Sequence, residues 1–480
     1  MSQNIILSQD SYKYSMYKQF PRGTEYVYSY IESRGGEWKD VYWFGLQAFI
    51  KEYLAKPITM ADIDEAESVM TVHGEPFNRE GWEYILDKYQ GYLPVSIKAA
   101  NEGALIPTKN VLLTIENTDP KCFWLTNFLE TSILRGVWYT STVATNSYES
   151  MKIIKGFLEK TGTPENITFA LNDFGSRGVS SSESSALGGM AHLATGFMGT
   201  DNVLALLAAR KYYSEDMAGY SIPATEHTIS SSYGRDNERD YINMMLDTYG
   251  NGGKPMAIVA DTYDVYNFCK ILGTDPVIKQ KIIENSKLGG LFVVRPDSGY
   301  PAEVVVKCLY ILAKYFGTTK NAKGFSVLNN IRMIQGDGID HESLQSILFS
   351  MEMARFSADN IVFGQGGALL QSVNRDTMKW AMKCSAIGVR EDTSAKYDYK
   401  GAYDELVWHE VFKDPITDSG KRSKKGRVTL WKCGSEYESS VDQPTRWVDD
   451  GIVWEEALTE VFRNGKLLKE VTFAQVRAEK

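Results

Sequence analysis

Several short stretches of this 480-residue chain combine glycine, arginine and carboxylates in patterns that suit a phosphorylated ligand. Phe363 to Gln371 reads FGQGGALLQ, a glycine-rich turn between a strand-like run and a helical one. Glycine lets backbone N–H groups come close to a phosphate, and a helix N-terminus adds positive potential. Gly366 and Gly367 are therefore candidate phosphate contacts, and Arg375 shortly beyond offers a forked donor. The same glycines also suit an ordinary tight turn. LFVVRPDSGYP sets Arg295 and Asp297 on either side of Pro296, two residues apart, so on extended chain both side chains point the same way. One division of labour is anion recognition by Arg295 and cation coordination by Asp297; the other is a structural ion pair. IQGDG adds Asp337, held in a turn between Gly336 and Gly338. Several carboxylates beside a phosphate site suit Mg²⁺, which takes oxygen ligands from a few carboxylates plus substrate phosphates.

A second group of residues suits a flat ring. NDFGSRGVSSSES puts Phe174 and Arg177 in a glycine-broken, serine-rich loop, where the aromatic can stack on a ring and the arginine can stack or bind phosphate. For a lone aromatic such as Phe174 a core position is the commoner explanation; the pairing with Arg177 in this loop is what points to a ligand. GTDNV leaves Asp201 at a strand-to-helix turn. GYSIPATEHT carries Glu226 and His227 in a loop bearing Gly, Pro and Ser, and His227 is the histidine whose setting best suits catalysis. The other four fit plainer roles: His192 lies in an apolar helix, His341 at a helix start, and His73 and His409 near the outer parts of the chain. Phe412 to Val428 concentrates Lys413, Lys421, Arg422, Lys424, Lys425 and Arg427, either a solvated face or a rim that attracts a polyanion.

What must position these groups is a βα rhythm. From about residue 168, short apolar runs at Met256–Ala260, Leu291–Val294, Ile331–Ile334 and Ile361–Phe363 each end in polar or glycine punctuation and give way to helical patterns, such as Pro301–Tyr315 and Glu342–Met353. Repeats of this kind predict parallel strands. Each run carries its polar residues at its carboxyl end, so Asp261, Asp264, Arg295, Asp297, Asp337 and Gly366-Gly367 could converge on the mouth of a barrel. Any one of these aspartates is equally a helix N-cap. Glu25–Ser33 reads as a strand, Asp119–Leu134 as a helix, and Val428–Trp431 and Lys469–Phe473 as strands in a charged tail.

Composition sets the outer bounds. Hydrophobic residues make up 43% and charged residues 24%, ordinary for a globular chain, and 52 basic against 61 acidic residues give a charge of −9, which argues against a general nucleic-acid binder. The start MSQNIILSQD has no basic, then apolar, leader, and no apolar run reaches the roughly 18 residues of a membrane span. Five scattered cysteines without a CxxC pair read as reduced thiols of a cytoplasmic protein.

Taken in order, these motifs resemble the nicotinamide phosphoribosyltransferase family along nearly the whole chain: QDSYKYSMYKQFP, YSYIESR, NVLLTIENTDP, TVATNS, DFGSRGVSS, GTD, GYSIPATEH, DTYDVYN, VVRPDSG, IQGDG, FGQGGALLQ, NRD, KCS and VFKDP…KRSKKGR. The resemblance implies an irregular TIM-like α/β barrel at 146–385, with a second α/β domain built from 1–145 and 386–480. It implies transfer of a 5-phosphoribosyl group from phosphoribosyl pyrophosphate to nicotinamide, with Mg²⁺, and stimulation by ATP through a phosphohistidine at His227. By matching position, Phe174 and Tyr12, the latter from the second chain of a homodimer, should sandwich the pyridine ring, with Asp201 near the carboxamide and Arg295 close by. Arg177, Asp264, Asp297, Gly336, Asp337 and Gly367 should surround ribose, phosphate and metal, the metal falling to Asp264, Asp297 and Asp337. Arg34, Lys383, Arg375, Lys413 and Lys424 are the expected phosphate and pyrophosphate contacts. Asn172, Tyr148 and Ala260 depart from the family pattern at the tunnel or its rim. A nicotinate-specific enzyme and a non-catalytic binding protein on the same scaffold are the alternatives.

Overall fold

The computed structural model describes residues 4–392, 404–441, 446–449 and 452–479. The chain forms two compact units: Asn146–Lys211 with Glu215–Val373, and Met1–Thr145 with Tyr212–Ser214 and Asn374–Lys480.

The unit centred on 146–373 is built on a parallel sheet of β1 (Leu171–Asp173), β2 (Gly199–Thr200), β3 (Met256–Val259), β4 (Phe292–Arg295), β5 (Ile331–Gln335) and β6 (Ile361–Gln365), in the spatial order β2-β1-β6-β5-β4-β3. Register is set by pairs such as Val259 with Arg295, Met333 with Ile361 and Gln365 with Asp173. Both faces are buried. Met256, Ile258, Phe292, Val294, Met333 and Phe363 pack beneath the helices, while Ala257, Val293 and Ile334 pack with Phe174, Ile222 and Val362 on the opposite face. Burial on both faces is why these strands read as continuous apolar runs rather than as alternation.

Parallel pairing requires crossovers, and helices supply them: Val265–Thr274 and Pro276–Lys287 between β3 and β4, Pro301–Phe316 between β4 and β5, and His341–Met353 between β5 and β6. Helix Pro301–Phe316 turns Val305, Cys308, Leu309 and Leu312 wholly inward. Each of the valine and leucine side chains contributes about 1.5–3 kcal/mol when buried.

An irregular stave completes the ring. Tyr220 bridges Gly199 beside β2, and Ala224 bridges Ala257 in β3, both parallel. Thr200 N–H donates to the Tyr220 carbonyl at 3.0 Å, and Ala257 N–H to the Pro223 carbonyl at 2.9 Å. Pro223 has no N–H to give, so this segment pairs by single bridges and not as a regular strand. The barrel expected from the sequence is present and irregular at this stave. β1 and β2, of three and two residues, are too short to leave a periodic signal.

The other unit carries an antiparallel sheet whose strands lie in the order Asp404–Glu410, Trp380–Asp392, Thr24–Ser33, Val111–Asn117, Val95–Ala99, Thr459–Arg463 and Lys466–Leu467. Thr24–Ser33 is an interior strand, paired with Trp380–Asp392 on one side and Val111–Asn117 on the other. Residues 374–385 accordingly pack with this unit. Val428–Cys433 forms a strand of a separate four-stranded sheet. The strand expected at Lys469–Phe473 is absent: Thr472 instead caps a helix, Phe473–Ala478, through a reciprocal capping box with Gln475. The helix expected over Asp119–Leu134 is broken into Pro120–Cys122, Leu125–Phe128 and the start of Glu130–Thr161. All five cysteines are free thiols. Among the described residues no helix is long and apolar enough to cross a membrane.

Candidate active site

Parallel strands bring their carboxyl ends to one mouth, and most ends are followed there by a charged, glycine or aromatic residue. Phe174 follows β1, Glu226 and His227 follow the irregular stave, and Asp261 follows β3. Arg295 closes β4 with Asp297 two residues on, Gly336 and Asp337 follow β5, and Gly366 and Gly367 follow β6. Phe174, Arg177, Arg295, Asp297, Gly336, Gly366 and Gly367 line one cavity. These seven were expected from the sequence to share a site, and the fold brings them together.

The acidic side of the mouth is an ordered chain of contacts. His227 Nε2 lies 2.9 Å from Asp261 Oδ1, His227 Nδ1 lies 4.0 Å from Asp297 Oδ2, and Arg295 Nη2 lies 3.5 Å from the same Asp297 oxygen. Burial raises the Asp297 pKa above the ordinary carboxylate value; Arg295 and His227 oppose the rise, and Asp261 and Asp337 add to it. The Arg295 Nε–H is buried and has no hydrogen-bond partner among the described residues. A cation with an unused buried donor, beside the glycine turn, suits an anionic ligand in this cavity.

Asp264 is placed differently from the rest. Its Oδ1 accepts from the backbone N–H groups of Tyr266 and Asn267 at 2.9 and 3.0 Å, which makes it the N-cap of helix Val265–Thr274. Glu226 occupies the N-cap position of helix His227–Tyr233 without a side-chain cap bond, and it is exposed. Among the described residues no group of three or more His, Cys, Asp or Glu has the arrangement of a metal cage. Asp297 and Asp337, close enough to influence each other's charge, fit instead the mode in which Mg²⁺ is held by one or two carboxylates plus phosphates of the substrate.

Asp201 lines a separate cavity with Val203, Met217, Tyr220 and Ser221, and its Oδ1 accepts a 2.6 Å hydrogen bond from Ser221 Oγ. Below it, the buried Asp173 accepts from Gly175 N–H at 2.7 Å and Asn202 Nδ2 at 3.0 Å, and burial pushes its pKa up to about 6. Asn172, one of the departures, donates to the Phe363 carbonyl at 2.9 Å, so its side chain is tied into the sheet.

The unit containing 1–145 holds its own basic cluster. Lys383 is tucked in with its ammonium on the Met382 carbonyl at 2.8 Å; desolvation lowers its pKa, Glu130 opposes that, and Arg34, Lys13 and Lys413 add to it. Arg34 Nη2 is buried with no hydrogen-bond partner among the described residues. Lys13, buried, pairs with Glu130, and its ammonium lies 5.0 Å from the ring centre of Tyr12, which is 58% exposed. Lys424 pairs with Glu32 and reaches the Lys109 carbonyl at 2.6 Å, while Lys413 is exposed and its N–H donates to Ser423 Oγ at 2.8 Å. Arg375 lies past the short helix Gly367–Leu370, exposed, with Asp376 at 3.0 Å.

Sequence reading undervalued Asp261, which shares its motif with Asp264. The available signal was position: Asp261 directly follows a strand, whereas Asp264 directly precedes a helix. Ser221 and Lys13 gave no signal, because their partners Asp201 and Glu130 are 20 and 117 residues away in the chain.

A parallel α/β barrel with a glycine turn and carboxylates at its mouth is a scaffold for enzymes that handle phosphorylated ligands. The fold is similar to that of nicotinate-nucleotide pyrophosphorylase from Pyrococcus furiosus (TM-score 0.60, 14% identity, covering 100% of this chain and 95% of that one). It is also similar to human nicotinic acid phosphoribosyltransferase (TM-score 0.58, 17% identity, covering 98% and 92%). The chain belongs to the nicotinate phosphoribosyltransferase family, whose model matches residues 169–466, and residues 4–97 match the N-terminal domain of nicotinamide phosphoribosyltransferase. A nicotinamide phosphoribosyltransferase of Xanthomonas campestris pv. campestris is 46% identical over 99% of this chain and 97% of its own length. Another, of Acinetobacter baylyi, is 31% identical over 99% and 96%.

Proposed function

We propose that this chain is a nicotinamide phosphoribosyltransferase that acts as a homodimer, forming nicotinamide mononucleotide and pyrophosphate from nicotinamide and phosphoribosyl pyrophosphate. The observation that carries the reading is the single cavity uniting Phe174, Arg177, Arg295, Asp297 and the Gly366-Gly367 turn. The match of residues 4–97 to the nicotinamide-type N-terminal domain, and the full-length relatives of that name, favour nicotinamide over nicotinate.

In this reading the pyridine nitrogen attacks C1′ of the ribose with its own lone pair as the C1′–O bond to pyrophosphate breaks, and the leaving group departs with that electron pair. No proton needs to move, so catalysis rests on placement and charge. Phe174 and, from the second chain of the homodimer, Tyr12 stack the ring, and Asp297 faces the positive charge that builds on the ribose. Arg177, Arg295 and the glycine turn hold the 5′-phosphate. Arg34, Lys383, Lys413 and Lys424 receive pyrophosphate. Asp201 accepts the carboxamide N–H and repels a nicotinate carboxylate. Asp297 and Asp337 would hold Mg²⁺, which when bound supplies positive charge to the leaving diphosphate.

An imidazole nitrogen of His227 takes the γ-phosphoryl group of ATP as the bond to the β-phosphate oxygen breaks and ADP leaves, with Asp261 holding the ring, and this coupling tightens substrate binding. The free cysteines support a cytoplasmic setting, where thiols stay reduced. The test is pyrophosphate release by the purified protein with Mg²⁺, with nicotinamide or nicotinate, and with or without ATP. Turnover of nicotinamide accelerated by ATP is expected; turnover of nicotinate alone, or of neither base, overturns the reading.

A further inference from the structure

Gly364 sits buried in the middle of β6, one residue before the Gln365 whose carbonyl accepts the Phe174 N–H at 3.0 Å. A β-carbon on Gly364 would lie 2.0 Å from Phe174 Cε2, 2.1 Å from Cδ2 and 2.8 Å from Cζ, so its three nearest obstacles all belong to one ring. Gly336, just past the end of the neighbouring β5, faces the same ring edge at 3.2 and 3.4 Å. The backbone of Gly364 is ordinary strand, with no positive φ. Conformational freedom therefore does not call for glycine here; the Phe174 ring does.

The ring thus settles into a gap left by two adjacent strands, above a floor of Ala257, Val293 and Ile334. A methyl group at 364 must drive it back to ordinary contact near 3.4 Å, a displacement of about 1.4 Å. Misplacing a reacting ring by about 1 Å can cost about 100-fold in rate.

We infer that Gly364 is a positioning residue for the base-binding half of the site: its missing side chain sets the depth at which Phe174 presents its face, and so the height of the pyridine nitrogen over the ribose. The inference rests on Phe174 being the ring on which the pyridine stacks. Gly336 makes a weaker second seat for the same ring.

The experiment compares Gly364→Ala, Phe174→Ala and the double variant by steady-state kinetics and thermal melting. Gly364→Ala is expected to lower kcat/KM for nicotinamide about 100-fold while leaving KM for phosphoribosyl pyrophosphate within about twofold. The double variant is expected to match Phe174→Ala alone, because with the ring gone the methyl has nothing to displace. Wild-type-like kinetics in Gly364→Ala, equal loss toward both substrates, or multiplied losses in the double variant each overturn the inference. If Gly364→Ala does not fold, recovery of folding in the double variant supports the seat and continued misfolding overturns it. Absence of nicotinamide turnover in the wild type instead sinks the functional reading, and the melting coupling of residues 364 and 174 then still reports on the seat.

Discussion

His227 and Asp261 meet at 2.9 Å, Nε2 to Oδ1, across 34 residues of sequence, one from the irregular stave and one from the end of β3. The contact holds the ring with Nδ1 on the side of Asp297, 4.0 Å from its Oδ2. Asp261→Asn removes the carboxylate charge beside the ring. It is expected to lower the ATP-stimulated rate by at least about 100-fold while the ATP-independent rate changes far less. His227→Ala should lose the ATP response altogether and keep slow transfer. Rates measured with and without ATP decide this, and an undiminished ATP response in either variant contradicts the assignment.

Asp264 shares a motif with Asp261 but spends its Oδ1 on two backbone donors. Asp264→Ala should cost about 1 kcal/mol of stability, as loss of an N-cap does. The Mg²⁺ concentration giving half-maximal rate should stay where it is. A large shift in that concentration would show that the remaining oxygen serves the metal.

Asp201, braced by Ser221, tests base selection. Asp201→Ala should raise KM for nicotinamide by about 10- to 100-fold, the worth of a charge-assisted hydrogen bond. Any residual use of nicotinate should be unchanged or improved. Equal loss for both bases would point to a structural role for Asp201 in its own cavity.

Asp173 supplies a pH signature. Its folded pKa of about 6 lies above the value near 4 of an unfolded chain, so the protonated carboxyl is favoured by folding. That stability is fully present below about pH 4 and is lost as pH rises through about 6, a swing of about 3 kcal/mol. Urea midpoints of the wild type should fall relative to Asp173→Asn across that window. Parallel curves for the two proteins would exclude it.

Lys383 is half-buried beside Arg34, Lys13 and Lys413, whose charges outweigh the help it gets from Glu130, so its presence is hard to justify by stability. Lys383→Met should melt no lower than the wild type and raise KM for phosphoribosyl pyrophosphate about 10-fold. A lower melting temperature with unchanged KM would mark it as structural.

The sequence by itself determined the barrel and most of its mouth. Strands buried on both faces must be apolar throughout, and the polar residue that ends each run is forced to the rim, so Arg295, Asp297, Gly336, Gly366 and Gly367 were legible one at a time. Only the tertiary structure decided which of them touch. The His227–Asp261 bond, the Ser221–Asp201 brace and the seat that Gly364 makes for Phe174 each join separate staves of the ring. Strand β1 and the stave at 220–225 left no such pattern, and β2 showed only as the turn before Asp201, for the same reason: they are held by pairing with distant neighbours, and two or three residues carry too little local pattern to announce it.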